Sequence, residues 1–91
     1  MYTVILSDKA QSDFAIFKKS NPKGYKKIEK LLTELENHPK TGTGHVEQLK
    51  GDLSGYWSRR IDDKNRMLYY IEENMVKIVM VLQMLGHYND K

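Results

Sequence analysis

The sequence predicts an α+β domain of order β-α-α-β-β-β-β, a helical hairpin packed on one face of a mostly antiparallel, twisted sheet. Three observations lead there. After one short alternating stretch, the apolar residues of the first half recur at helical spacing, whereas those of the second half follow period two. The breaks in the second half, "GDLSG", "DDKN" and "EEN", are short turn-formers between strand-like runs. The last run, "VKIVMVLQML", is apolar on nearly both faces, which suits a central, doubly covered strand.

Taken in order, "YTVILS" alternates, with Tyr2, Val4 and Leu6 on one side of a strand. Ser7 can cap a helix, and Asp8 falls in its first turn, where the helix dipole favours an anion. Ala10, Phe14 and Phe17 form that helix's buried stripe. "SNP" ends it and starts the next, with Asn21 as cap and Pro22 at the first helical position. Tyr25, Ile28, Leu32 and Leu35 share one face of the second helix, and "NHP" stops it, because a residue before proline is pushed out of the helical region. Helices joined so tightly form an antiparallel hairpin. "TGTG" is a connector. A short strand at "VEQLK" follows, then "YWSRRI", "RMLYYI" and the final apolar run.

Ninety-one residues fit one small domain, 1–91, with no room for a second core. A hydrophobic fraction of 40% argues against disorder. With no cysteine, neither a disulfide framework nor a thiolate metal site is available, so stability rests on the core and on a partner or second copy. The longest apolar run, Ile78 to Leu82, is far short of the roughly 20 residues that span a bilayer, so no membrane association and a cytoplasmic location are expected. Of the net charge of +3, the excess lies early: residues 1–44 hold eight Lys against five acids, and residues 45–91 hold seven of each sign. The stretch "KKSNPKGYKKIEK" suits a polyanion or an acidic protein, and equally a solvated helix face.

The polar residues that stand out in the sheet half are Glu47, Lys50, Arg59, Arg60, Arg66, His87 and Tyr88. Singly each has an ordinary reading: a surface ion pair, a snorkelling or Asp62-paired arginine, an edge charge, a frayed tail. Strand parity sends Arg59 and Arg60 to opposite faces. Together they match what RNA cleavage by the neighbouring 2′-hydroxyl requires without a metal or other cofactor. Glu can take the hydroxyl proton, His can protonate the departing 5′-oxygen, and an arginine fork can hold the charge that builds on the phosphate. Tyr88 and Trp57 are candidates for stacking on an unstacked base. There is no carboxylate cluster for a divalent ion and no nucleophilic triad, and "GTG" and "GDLSG" lack the strand–glycine–helix setting of a phosphate loop.

The string "GTGHVEQLKGDLSGYWSRRIDDKNRMLYYI", followed later by "HY", closely resembles the Txe/YoeB toxins, a branch of the RelE-like ribosome-dependent mRNA interferases. The resemblance spans essentially the whole chain, and "ExLKxxLxGxWSRRI" with the terminal "HY" is its specific part. It implies a RelE-like, microbial-ribonuclease-like fold and a toxin that cleaves message in the decoding site of translating ribosomes. It also implies a neutralising Phd/YefM-type antitoxin, with operator DNA bound only through the toxin–antitoxin complex. Self-association as a homodimer is expected on separate grounds, because a second copy would cover apolar surface that 91 residues cannot hide. Carried over by position, the general base falls on Glu47, the phosphate-binding arginine on Arg66, the general acid on His87 and the tyrosine that follows it on Tyr88. Lys50 and Arg60 match supporting substrate contacts. Parity would send Glu47 and Lys50 to opposite sides, so both can line one cleft only at a bulge or a strand end. The chain departs from the family pattern at Val46, where proline is common, and in its extension Asn89-Asp90-Lys91. Two other readings compete: a non-catalytic toxin of the same fold acting on a target such as DNA gyrase, and a plain binding module whose basic hairpin holds an acidic partner. Tyr56, Tyr69 and Tyr70 are candidates for a self-association surface.

Overall fold

The computed structural model describes residues 1–83. Strand β1 (Thr3–Leu6) leads into helices α1 (Asp8–Ser20) and α2 (Pro22–Leu35), then to β2 (Glu47–Gln48), a 3₁₀ turn (Gly51–Leu53), β3 (Trp57–Arg60), β4 (Asn65–Glu72) and β5 (Met75–Gln83). The five strands form one sheet in the order β1-β5-β4-β3-β2. After the helices the chain starts again at the far edge and meanders back by antiparallel steps until β5 lies parallel to β1. The α+β architecture read from the sequence is therefore the architecture found.

The helix boundaries follow the local chemistry. Ser7 Oγ accepts from the Ala10 amide at 2.9 Å, and Asp8 occupies the first turn of α1. Asn21 does two jobs: its amide donates to the Phe17 carbonyl at 2.8 Å, closing α1, and its Oδ1 accepts from the Gly24 amide at 3.0 Å, opening α2. Gly24 is required by the tightness of this corner, since a Cβ there would lie 2.9 Å from both the Phe17 ring and the Asn21 amide nitrogen. The core lies between the hairpin and one sheet face, where Ala10, Phe14, Ile28, Leu31 and Leu35 meet Met67, Tyr69, Val76 and Ile78. Completely burying an aliphatic side chain of this size contributes roughly 1.5–3 kcal/mol, so this layer dominates the stability.

β5 is interior, but the middle strand is β4; the sequence alone placed β5 at the centre. β1 is short and pairs β5 only from Met75 to Ile78. Past Leu6, helix α1 takes over the uncovered edge: Ser7 Oγ donates to the Val79 carbonyl at 2.5 Å, and the Val81 amide donates to Asp13 Oδ2 at 2.9 Å. This also explains why Asp13 is buried on a helix. Opposite, the register steps from Leu68↔Met80 to Tyr69↔Ile78, leaving Val79 as a bulge. The extra residue lets Ile78 and Val81, three apart, both reach the helix layer.

Candidate active site

The helices cover one sheet face, and the other presents the polar residues. Register sets their neighbours, because residues directly opposite on paired strands share a face. Glu47 lies opposite Ser58 and Arg60 opposite Arg66, so these four stand on the face away from the helices. Arg66 is the hub. Its Nε donates to Ser58 Oγ at 3.0 Å, and its Nη2 donates to the Glu47 carboxylate at 3.1 Å and to the His45 carbonyl at 3.0 Å. The Arg66 side chain is only 12% exposed whereas that of Glu47 is 61% exposed, so a held guanidinium sits beneath an accessible carboxylate. Among the described residues nothing accepts from Arg66 Nη1.

The segment before Glu47 is shaped to bring it there. Gly44 has φ +94°, and its carbonyl accepts from the Arg60 amide at 2.5 Å. A Cβ on Gly44 would meet the Arg60 carbonyl at 2.9 Å, so the chain can cross β3 this closely only at glycine. His45 follows with φ 50°, a left-handed conformation that is uncommon outside glycine. It is held by Arg66 on its carbonyl, so the arginine and the kink support each other.

Arg59 points the other way and is fully buried. Its Nη1 donates to Glu34 Oε1 at 3.0 Å, its Nε to the Tyr69 hydroxyl at 3.2 Å, and its remaining donors to the carbonyls of His38, Thr41 and Thr43. The Tyr69 hydroxyl in turn donates to the Pro39 carbonyl at 2.7 Å. One guanidinium thus pins the connection between α2 and β2, the segment that delivers His45 and Glu47. Glu34 also accepts from the Thr43 hydroxyl at 2.7 Å and the Thr43 amide at 2.9 Å. Those bonds, with Arg59 beside it, hold the Glu34 carboxyl below the ordinary carboxylate range despite its partial burial. Burial pushes the Tyr69 phenol up, against the pull of Arg59. Nothing in the sequence joined Arg59 to Glu34. The usable signal was parity, because an arginine on the inward side of a strand needs a carboxylate above it.

The other predicted residues are placed as follows. Lys50 is exposed just beyond the end of β2, where strand parity no longer applies, and precedes the turn at Gly51. Arg60 shares the face of Arg66, yet its guanidinium is drawn to the β3–β4 turn, donating to Asp63 at 3.2 Å and to the Asp62 carbonyl at 3.4 Å. The stacking expectation for Trp57 is corrected: it lies opposite the buried Tyr69 and packs against the core on the helix side. Tyr69 is likewise removed from any self-association surface, being completely buried. Among the described residues, the open face presents Tyr56 and Tyr70, edge to face at 5.6 Å. His87 and Tyr88 lie outside the described residues.

Two solved structures share this architecture over nearly the whole chain. The YoeB–YefM complex from Staphylococcus aureus matches with a TM-score of 0.80 and 32% identity, covering 93% of this chain and 99% of that one. The YoeB dimer from the same organism matches with a TM-score of 0.80 and 33% identity, covering 92% and 98%. By fold the protein is a small α+β toxin. Toxin YoeB of Streptomyces coelicolor is 43% identical over 67 residues, 74% of this chain and 80% of that protein. Residues 6–88 match the pattern of the YoeB-like toxins of bacterial type II toxin–antitoxin systems, and the chain belongs to that family.

Proposed function

We propose that this toxin acts as a ribosome-dependent mRNA endoribonuclease, with Glu47 as general base, Arg66 on the scissile phosphate and His87 as general acid. The observation that supports it is the Arg66–Glu47 contact of 3.1 Å on the helix-free face. Glu47 takes the proton of a 2′-hydroxyl, the 2′-oxygen attacks the adjacent phosphorus, and the 5′-oxygen leaves with a proton from His87. The products are a 2′,3′-cyclic phosphate and a 5′-hydroxyl. Acid and base each contribute about 10²–10⁴-fold. Arg66 adds a positive charge that is already oriented, so little reorganisation accompanies the build-up of charge on the phosphorane. Tyr88 stacks on the base beside the cut, and Lys50 and Arg60 steady the strand at the rim.

A Phd/YefM-type antitoxin is the proposed partner, in keeping with the S. aureus relative solved with YefM; the dimeric relative supports self-association. The test is a toeprint of message on translating ribosomes with purified wild type and with Glu47→Gln and His87→Gln. Wild type should cut at a codon in the decoding site and leave naked RNA largely intact, and both variants should lose at least a hundredfold in rate. Near wild-type cutting by His87→Gln would remove it as the acid, and DNA breakage with intact message would instead favour action on DNA gyrase.

A further inference from the structure

Very little strand places the Glu47 carboxylate. β2 is two residues long, lies at the edge of the sheet and pairs only at Glu47↔Ser58 and Gln48↔Trp57. The chain leading to it is held through three successive residues, Thr43, Gly44 and His45. Their carbonyls accept in turn from Arg59 Nη1 at 3.4 Å, the Arg60 amide at 2.5 Å and Arg66 Nη2 at 3.0 Å. Arg59 reaches this run from the helix side of the sheet and Arg66 from the open side. Thr43 is the most heavily bonded of the three. Its hydroxyl donates to Glu34 Oε2 at 2.7 Å and its amide to Glu34 Oε1 at 2.9 Å, so the Arg59–Glu34 ion pair engages all three of its polar groups. Gly42 and Gly44, on either side, have φ of +115° and +94°. Glycine leaves a backbone its widest freedom, so Thr43 is a fixed point between two flexible joints.

We infer that Thr43 is a positioning residue for the general base: its hydroxyl, seated on Glu34, sets where the chain four residues later presents the Glu47 carboxylate. The inference rests on the ribonuclease reading above. The ion pair does not need this hydroxyl, because Glu34 Oε1 keeps Arg59 and the Thr43 amide without it. What the hydroxyl adds is a second grip on one residue, and two bonds to the two oxygens of one carboxylate fix an orientation that a single bond leaves free to turn. Reactivity depends steeply on such placement. A misplacement of about 1 Å costs on the order of 10²-fold, and the base in full contributes about 10²–10⁴-fold. Loss of the hydroxyl should therefore slow the cut by about 10- to 100-fold, while Arg66, Lys50 and Arg60 still bind the message.

The test measures message cleavage on programmed ribosomes by wild type, Thr43→Val, Thr43→Ala and Thr43→Ser, each also combined with Glu47→Gln. Beside the native Glu47, the Val and Ala variants should lose about 10- to 100-fold in the rate at saturating ribosomes, with KM within about twofold of wild type. The Ser variant keeps a hydroxyl and should recover most of that rate. Beside Glu47→Gln the same three changes should have almost no effect, because no base is left to place. A defect in folding would instead lower the rate by the same factor in both backgrounds, and that result overturns the inference. So does a Val or Ala rate within about twofold of wild type, a loss confined to KM, or a Ser variant no faster than Val. Wild type that cuts no message, or Glu47→Gln that cuts as fast as wild type, defeats the ribonuclease reading and the inference with it. Cutting that needs Glu47 but ignores the Thr43 hydroxyl defeats the inference alone.

Discussion

Replacing Arg59 by leucine tests the strongest energetic claim the fold makes. The side chain is fully buried, with the Glu34 carboxylate, the Tyr69 hydroxyl and three loop carbonyls around its guanidinium. Leucine conserves apolar volume but takes the guanidinium from all five groups, leaving Glu34 only its two bonds from Thr43. Adding up charged hydrogen bonds at about 1.5–3 kcal/mol each would overshoot, because groups freed at the surface rehydrate. The Glu34 side chain is already 24% exposed, and the loop can lift. Breaking one partner of a buried ion pair costs about 3–5 kcal/mol, and that is the expected loss. Against a total of about 5–15 kcal/mol for a domain, the variant should be barely folded at 37 °C. Equilibrium urea unfolding at 25 °C should show the midpoint falling by at least 1 M, given a slope of about 1–3 kcal/mol/M. Arg59→Lys should not rescue it, because one ammonium cannot reach partners set around a planar fork. A loss under about 1 kcal/mol would refute the view that this arginine anchors the α2–β2 connection.

Glu34 makes the same network pH-dependent. Its carboxyl is held below the ordinary value of 4.5, so the stabilisation it brings is present above that value and is lost as the pH falls through the lowered one. The stability gap between wild type and Glu34→Gln should therefore shrink below about pH 4.5, and a gap that widens in acid would contradict the assignment. Ser58→Ala removes the hydroxyl that receives Arg66 Nε; message cleavage should drop about tenfold, roughly 1.4 kcal/mol, mainly in the rate at saturation, and Ser58→Thr should recover part of it. Gly44→Ala meets both a φ of +94° and the Arg60 carbonyl at 2.9 Å, so it should lower the urea midpoint by more than the roughly 1 kcal/mol of a left-handed alanine and impair cleavage as Glu47 shifts.

Much of the layout was legible because its signals are local. Ser7, Asn21 and Pro22 act on amides within a few residues, so helix starts could be placed from the sequence. Period two along "WSRRI" was enough to part Arg59 from Arg60. The same rule, applied without knowing which face was covered, could not say that Trp57 and Tyr69 belong inside. The position of β5 was misjudged for a related reason. An all-apolar strand looks central, but part of its cover comes from Ser7 and Asp13 on α1 rather than from a neighbouring strand. At the candidate site, the family motif named Glu47 and Arg66, while the hydroxyl and carbonyl that hold Arg66 had no signature of their own.

By itself the sequence determined the order of elements, the faces of the helices, the placement of its basic charge and the family to which its motif belongs. These depend on neighbours within a turn of helix or a pair of strand residues, where chemistry and spacing suffice. Only the tertiary structure decided which groups meet across the chain. Arg59 finds Glu34, 25 residues earlier, and Arg66 finds Glu47 and Ser58, because the meander returning from β2 to β5 fixes the register of every strand between them. A shift of one residue in β3 against β4 would send each of these side chains to the opposite face, and that register is set by closing the core as a whole.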